Sequence, residues 1–247
     1  MLHRYPKRVA LIMLVLTALV AAFPLWGEAV FGNQANFMLE KLTLMLILAL
    51  FAMSLDLLVG IVGLVSLGHA LFFIMTTLAF GQMLYYFIST SQFAGGTDGV
   101  FIMFRPSLAL GERTLVDLDN PYSFFYFCLG MLLLGYFFLR WLTRSYFGQV
   151  LDGIHDNEHR MQALGYATSG YKLVAFVIAG VMAAIAGMLA AMQYGFANPA
   201  QLGWHTSGEV LMMLILGGMG TIFGPILGAF AYEILLYVYE HATTHWP

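Results

Sequence analysis

The chain has 247 residues, of which 61% are hydrophobic and 9% charged, with a net charge of −3 and a mean hydropathy of +0.83. A soluble domain carries roughly a quarter charged residues, so this chain has too little polar surface for water to be its main solvent, and its small negative charge does not suggest a nucleic-acid partner. Its single cysteine, Cys128, excludes an intramolecular disulfide framework. In lipid, only helices and closed barrels satisfy their own backbone. The apolar runs are continuous and lack the alternation of barrel strands. The prediction is an all-α, polytopic transmembrane helical bundle, with residues 1–247 forming one membrane domain.

A hydrocarbon core about 30 Å thick takes ~20 helical residues. The first candidate span, Val9 to Trp26, follows "MLHRYPKR" and is read as a retained helix, because no A-x-A cleavage site follows it. The second run, Leu42 to Gly68, is too long for one straight span and contains Gly60, Gly63 and Gly68. Asp56 lies well inside it, with Ser54, Ser66 and His69 as polar neighbours. An acid at that depth costs at least ~2.5 kcal/mol, so it must face a cavity or a partner. If the helix continued, Asp56, Gly60 and Gly63 would share one face, a glycine groove beside an acid that suits a pathway or a broken helix. The alternative is that Asp56 and His69 hydrogen-bond neighbouring helices.

Further spans are predicted from about Ala70 to Ile88, from Ser123 to Leu142 and from Leu173 to Tyr194. In the last of these Ala179, Ala183, Gly187 and Ala191 recur every fourth residue, a small-residue stripe where another helix can approach. The final stretch, Val210 to Tyr239, is over-long and interrupted by "GGMGTIFGP". There Gly217, Gly218, Gly220 and Gly224 weaken the helix and Pro225 breaks it, so two shorter helices joined by a tight turn are expected. Glu233 is a further acid near the end of that stretch. Trp26, Trp141, Trp204 and Tyr85/Tyr86 sit near span ends, as interfacial anchors do.

Basic residues set the orientation. Arg4, Lys7 and Arg8 precede the first span, and Arg140, Arg144, Arg160 and Lys172 flank or lie in the polar stretch 145–172, so seven of the ten Lys and Arg fall on one side. That side is the cytoplasm, which places the N-terminus and the 145–172 loop inside. Within the loop, Val150, Leu151, Ile154, Met161 and Leu164 roughly follow helical spacing, while Asp152, Asp156 and Arg160 fall on another face. Gly165 is a helix stop. A helix of this kind outside the membrane lies against the bilayer surface or a partner protein. "GYATSGYK" misses the phosphate-loop pattern, since Tyr171 stands where lysine belongs. His155 and His159 lack the H-E-x-x-H order and read as a solvated face.

Several long motifs together carry a resemblance. "GQVLDGIHDNEHRMQALGYATSGYKLVAFVIAGVMAAIAG" is similar to the cytoplasmic coupling loop and following helix of the branched-chain amino acid ABC transporter permeases. "FAMSLDLLVGIVGLVSLGHALFF" resembles their second membrane segment, and "EVLMMLILGGMGTIFGPILGA" their Gly-rich C-terminal motif; "TLAFGQMLYY" and "GGTDG" match too. Against the family pattern the chain looks shortened by an internal hairpin and the last helix.

The resemblance implies a bacterial inner-membrane importer subunit with no cofactor and no catalytic activity of its own. Its partners would be ABC ATPase subunits, a second permease subunit, a periplasmic substrate-binding protein and the lipid bilayer. Glu158, Arg160, Ala163 and Gly165 fall in the coupling motif, and Ser54, Asp56, Gly60, Gly63, Ser66 and His69 in the expected substrate pathway. A urea or amide importer, a non-transporting remnant and, less readily, a membrane enzyme using the histidines stay open.

Overall fold

The structure, a computed structural model, describes residues 15–63, 67–91, 99–102, 108–110 and 113–245. Residues 15–21 are helical and lead into α1 (Phe23–Phe31). The first span is therefore interrupted at Ala22 instead of running straight through Trp26, and its residues 9–14 lie outside the described part. Pro24 explains the break, because it has no N–H to continue the helix. The Leu25 N–H bonds the Ala22 carbonyl at 2.9 Å, and the Ala21 carbonyl that it bypasses accepts from Tyr126 Oη at 3.2 Å.

The helices α2 (Ala35–Asp56), α3 (Leu67–Thr90), α4 (Pro121–Arg144), α5 (Tyr146–Ala163), α6 (Thr168–Tyr194), α7 (Trp204–Gly217) and α8 (Gly224–His245) follow. A π-helical turn, Leu57–Ile61, continues α2. Among the described residues, three segments are long and apolar enough to cross a membrane: Ala35–Ile61, Pro121–Arg144 and Thr168–Tyr194. Helix α2 is the centre of the bundle. It packs against α4, α6, α7 and α8, and is buried on several sides through Leu39, Leu46, Ala49, Leu50 and Met53. A helix that is apolar all round belongs in such a place. The outer faces of α4 and α6 expose Leu134, Phe137, Trp141, Phe176, Val177 and Val181, a surface suited to lipid rather than water.

Local chemistry sets the helix ends. Asn120 Oδ1 accepts from the Tyr122 N–H at 3.0 Å and Pro121 occupies the first turn of α4, where its missing N–H costs nothing. Ser145 serves two helices: its hydroxyl donates to the Leu142 carbonyl at the end of α4 and accepts from the Gly148 N–H at the start of α5. Helix α6 starts at Thr168, earlier than the predicted Leu173, so all of the expected "YATSGYK" connection but Tyr166 and Ala167 is helical. Among the described residues, two antiparallel pairs lie in the connections: β1 (Val100–Phe101) with β4 (Phe196–Ala197), and β2 (Leu108–Leu110) with β3 (Arg113–Val116).

The small-residue stripe of α6 meets its neighbours only in part. Ala179 is buried, but Gly187 is exposed and has no neighbour near it, and the buried face runs through Ala175, Ala179, Met182, Ala186 and Leu189. A strict four-residue repeat precesses by about 40° per step around a helix of 3.6 residues per turn, so the stripe winds off the packed face.

Candidate functional site

Two broken helices meet within the bundle. The α2 ladder gives way to the π turn, in which the Val62 N–H reaches back five residues to the Leu57 carbonyl at 3.1 Å. Gly63 then ends the helix with φ +66°. The second break joins α7 to α8 through residues 218–223, with Gly218 and Gly220 both at positive φ. The two shorter helices and tight turn expected from "GGMGTIFGP" are present.

Asp56 holds the breaks together. It is 1% exposed, and its Oδ1 accepts a hydrogen bond from the Gly220 N–H at 2.8 Å, while Oδ2 has no partner among the described residues. Gly60 makes the approach possible, because a Cβ there would lie 2.8 Å from Gly220 Cα and would overlap the Asp56 carboxylate. Around the turn itself, a Cβ at Gly217 would overlap the Gly224 carbonyl, so α7 and α8 touch backbone to backbone, with Pro225 following in the first turn of α8.

The predicted pathway residues thus divide. Asp56 and Gly60 face the Gly-rich turn, whereas Gly63 does not share their face and lies beneath the His155 ring. Ser54 donates to the Phe51 carbonyl of its own helix at 2.6 Å. Ser66 lies outside the described residues, and His69 falls in the first turn of α3, where side chains are not described. An apolar cavity of about 560 Å³ lies elsewhere, lined among others by Val20, Leu46, Leu132, Ile226 and Phe230 together with Tyr136 and Arg140.

The polar loop is built in two halves. Asn157 is extended (φ −162°, ψ 99°) and breaks α5; its Oδ1 accepts from the Arg160 N–H at 3.0 Å and so caps a second, shorter helix. Before the break, Val150, Leu151 and Ile154 are buried against Val62 and Ala175. This part of the apolar stripe therefore lies on the chain's own bundle instead of on the bilayer or a partner, whereas Leu164 at its end is exposed. Beyond the break, His159, Arg160, Gln162, Ala163, Leu164 and Gly165 are exposed. Gly165 ends this helix at φ +89°, its N–H bonded to the Gln162 carbonyl and the Tyr166 N–H to the Met161 carbonyl, the reciprocal pair of a Schellman stop.

Glu158 differs from the expected free surface charge. Its Oε2 pairs with Lys172 Nζ at 2.6 Å and its Oε1 accepts from Thr168 Oγ1 at 3.0 Å, with Gln162 Nε2 donating to the same hydroxyl. The Lys172 bond is the largest cause holding the Glu158 carboxyl below its ordinary range; burial opposes it and Thr168 adds to it. His155, read from the sequence as part of a solvated face, has its Nδ1 3.1 Å from the Ile61 carbonyl, and sequence reasoning missed Gly228, where a Cβ would overlap the Met213 carbonyl. The His155 contact joins segments 94 positions apart and no local motif marks it, whereas Gly228 and Met213 both lie within "EVLMMLILGGMGTIFGPILGA".

Residues 91–243, well over half of the chain, match the family described as branched-chain amino acid transport system / permease component. The chain belongs to this family. The match covers the polar loop and the Gly-rich turn, and with the apolar helices it makes the chain a membrane protein of a transport-permease family. Among curated relatives, the high-affinity branched-chain amino acid transport system permease protein LivM of Escherichia coli (strain K12) is 28% identical over 172 residues, 62% of this chain and 40% of that protein. LivM of Salmonella typhimurium is 27% identical over the same shares. The autoinducer 2 import system permease protein LsrC of Photorhabdus laumondii is 37% identical over 95 residues, 36% of this chain and 28% of that protein. The chain thus spans less than half the length of these relatives. No solved structure matches it.

Proposed function

We propose that the chain is a membrane-spanning permease subunit of an ATP-binding cassette importer, without catalytic activity of its own, and that it carries branched-chain or other small apolar amino acids. The observation that carries this reading is the exposed half-helix at 158–165, held on the loop that the family match includes and rigidly founded on the bundle beneath it. A surface that presents Arg160, Ala163, Leu164 and Gly165 away from the core suits an ATPase subunit. A second permease subunit and a periplasmic substrate-binding protein complete the assembly. In this reading the chain lies in the bacterial inner membrane with its N-terminus and the loop in the cytoplasm, as the Lys and Arg asymmetry supports.

The similarity to LivM favours branched-chain amino acids. The higher identity to LsrC over a shorter stretch supports a second reading, an importer of another small solute. Co-expression with an ABC ATPase subunit and the binding protein of a branched-chain amino acid importer tests both. The expected result is co-purification of the ATPase and accumulation of radiolabelled leucine that unlabelled isoleucine competes away. Docking with no leucine uptake would favour the second reading, and absence of docking would overturn the first. Orientation is checked with single cysteines at Phe101 and Arg160 and an impermeant thiol reagent added to intact cells. Labelling is expected at 101 and not at 160.

A further inference from the structure

We propose that His155 and Asp56 are positioning residues at the two ends of one joint, through which the polar loop sets the position of the Gly218–Gly220 turn. The proposal rests on the reading of the loop as the site that receives a partner's motion, and adds where that motion goes inside this chain.

The joint is the π turn Leu57–Ile61. At its far end a carbonyl is freed because the helix stops at Gly63. His155 meets it: Nδ1 is 3.1 Å from the Ile61 oxygen, and since a carbonyl only accepts, Nδ1 carries the proton and donates. Gly63 makes room for the ring, for a Cβ there would come within 2.7 Å of Nδ1, and its φ of +66° disfavours any side chain. Beside this bond Val62 is buried with Val150, Leu151 and Ile154, so the first half of the loop and the end of the π turn move as one body.

The near end of the same turn is held by the other broken helix pair. Asp56 accepts from the Gly220 N–H at 2.8 Å, and Gly60 lies against Gly220. Asp56 and Ile61 are five positions apart and Gly60 is the immediate neighbour of Ile61, so one π turn carries both the loop contact and the contacts to the Gly-rich turn. A π turn holds one residue more than an α turn, and a relay between sites requires an element with two arrangements; in the proposed joint that role falls to a switch of this turn between π and α register. His155 is exposed on its other side, within reach of whatever covers the neighbouring half-helix.

The test needs no partner protein. In a Cys128→Ala background, a nitroxide is placed at Met219→Cys, an exposed position beside Gly220, and its spectrum is recorded with the chain in lipid vesicles. A second reporter at Leu134→Cys, exposed on α4 and remote in sequence from the joint, monitors the bundle. His155→Ala is expected to shift the 219 spectrum toward its mobile component and leave the 134 spectrum unchanged. His155→Asn, whose amide nitrogen takes the place of Nδ1, is expected to restore it, and Asp156→Ala on the exposed neighbour to have no effect. Asp56→Leu is expected to reproduce the His155→Ala shift. An unchanged 219 spectrum in His155→Ala would overturn the joint, as would equal loosening at 134, which marks general softening. Loss of ATPase docking by the unmodified chain, in contrast, bears on the proposed function alone.

Discussion

Residues 146–156 and 158–165 belong to one polar stretch of similar composition, yet they meet opposite fates. The first buries Val150, Leu151 and Ile154 against the end of α2 and the start of α6; the second leaves Ala163, Leu164 and Gly165 in the open. The boundary is Asn157, whose side chain finds the Arg160 N–H and so makes ending one helix and beginning another inexpensive. One half is foundation and the other is presented surface. A uniform amphipathic helix would have offered a partner either its apolar stripe or nothing. The break lets the stripe secure the loop while a separate surface stays available.

Truncation on each side of the boundary separates foundation from surface with the largest expected effect. Leu151 is 1% exposed, so Leu151→Ala should cost about 2–5 kcal/mol, as buried leucines do. Thermal unfolding of the detergent-solubilised protein should show a lowered midpoint, and accumulation in the membrane should fall. Leu164 is 67% exposed, so Leu164→Ala should leave the unfolding midpoint within the scatter of surface changes, about ±0.5 kcal/mol. Its effect should appear in ATPase co-purification. Equal destabilisation by both would erase the distinction between the halves.

An intermediate effect is expected at Gly165. Nothing lies within 4 Å of a Cβ built there, so the cost of Gly165→Val comes from the backbone, where φ is +89°, and amounts to about 1–2 kcal/mol. The short helix should lose its Schellman stop and redirect Tyr166 and the start of α6. The protein should still insert and accumulate, while docking or coupling of the ATPase falls. Docking and substrate-stimulated hydrolysis equal to those of the unmodified chain would remove Gly165 from the presented surface.

The comparison also shows which parts of the molecule could be read from the sequence. The apolar runs of α4 and α6, the paired helices around Pro225 and the stop at Gly165 are local features, each marked by hydropathy or by a residue of special backbone geometry. The contacts that organise the site are not local. Asp56 is paired with Gly220, 164 positions away, and His155 with Ile61, 94 positions away. Nothing near Asp56 distinguishes an acid that faces a pathway from one that caps a distant turn. The glycines hinted at a break in α2 but not at its π geometry, which depends on what Gly60 and Gly63 are pressed against.

The smallest expected effect belongs to the latch that closes the loop onto α6. Glu158 lies in the presented half but bonds Lys172 and Thr168 of the next helix, so it ties surface to foundation. Its carboxyl is held below the ordinary glutamate range, chiefly by the Lys172 hydrogen bond. A depressed acid contributes stability that is fully present above its unfolded value and is lost as pH falls through the folded one. The pair is partly exposed, so its contribution should stay within ~1 kcal/mol and weaken with salt. Protease cleavage within 158–167 of the protein in vesicles should therefore be slow at neutral pH and accelerate as pH drops below the ordinary glutamate range. In Glu158→Gln the carboxylate is gone at every pH, so cleavage should be faster at neutral pH and that acceleration should disappear. Retention of the same pH profile in Glu158→Gln would assign the transition to another group and remove Glu158 as the tie between the two halves.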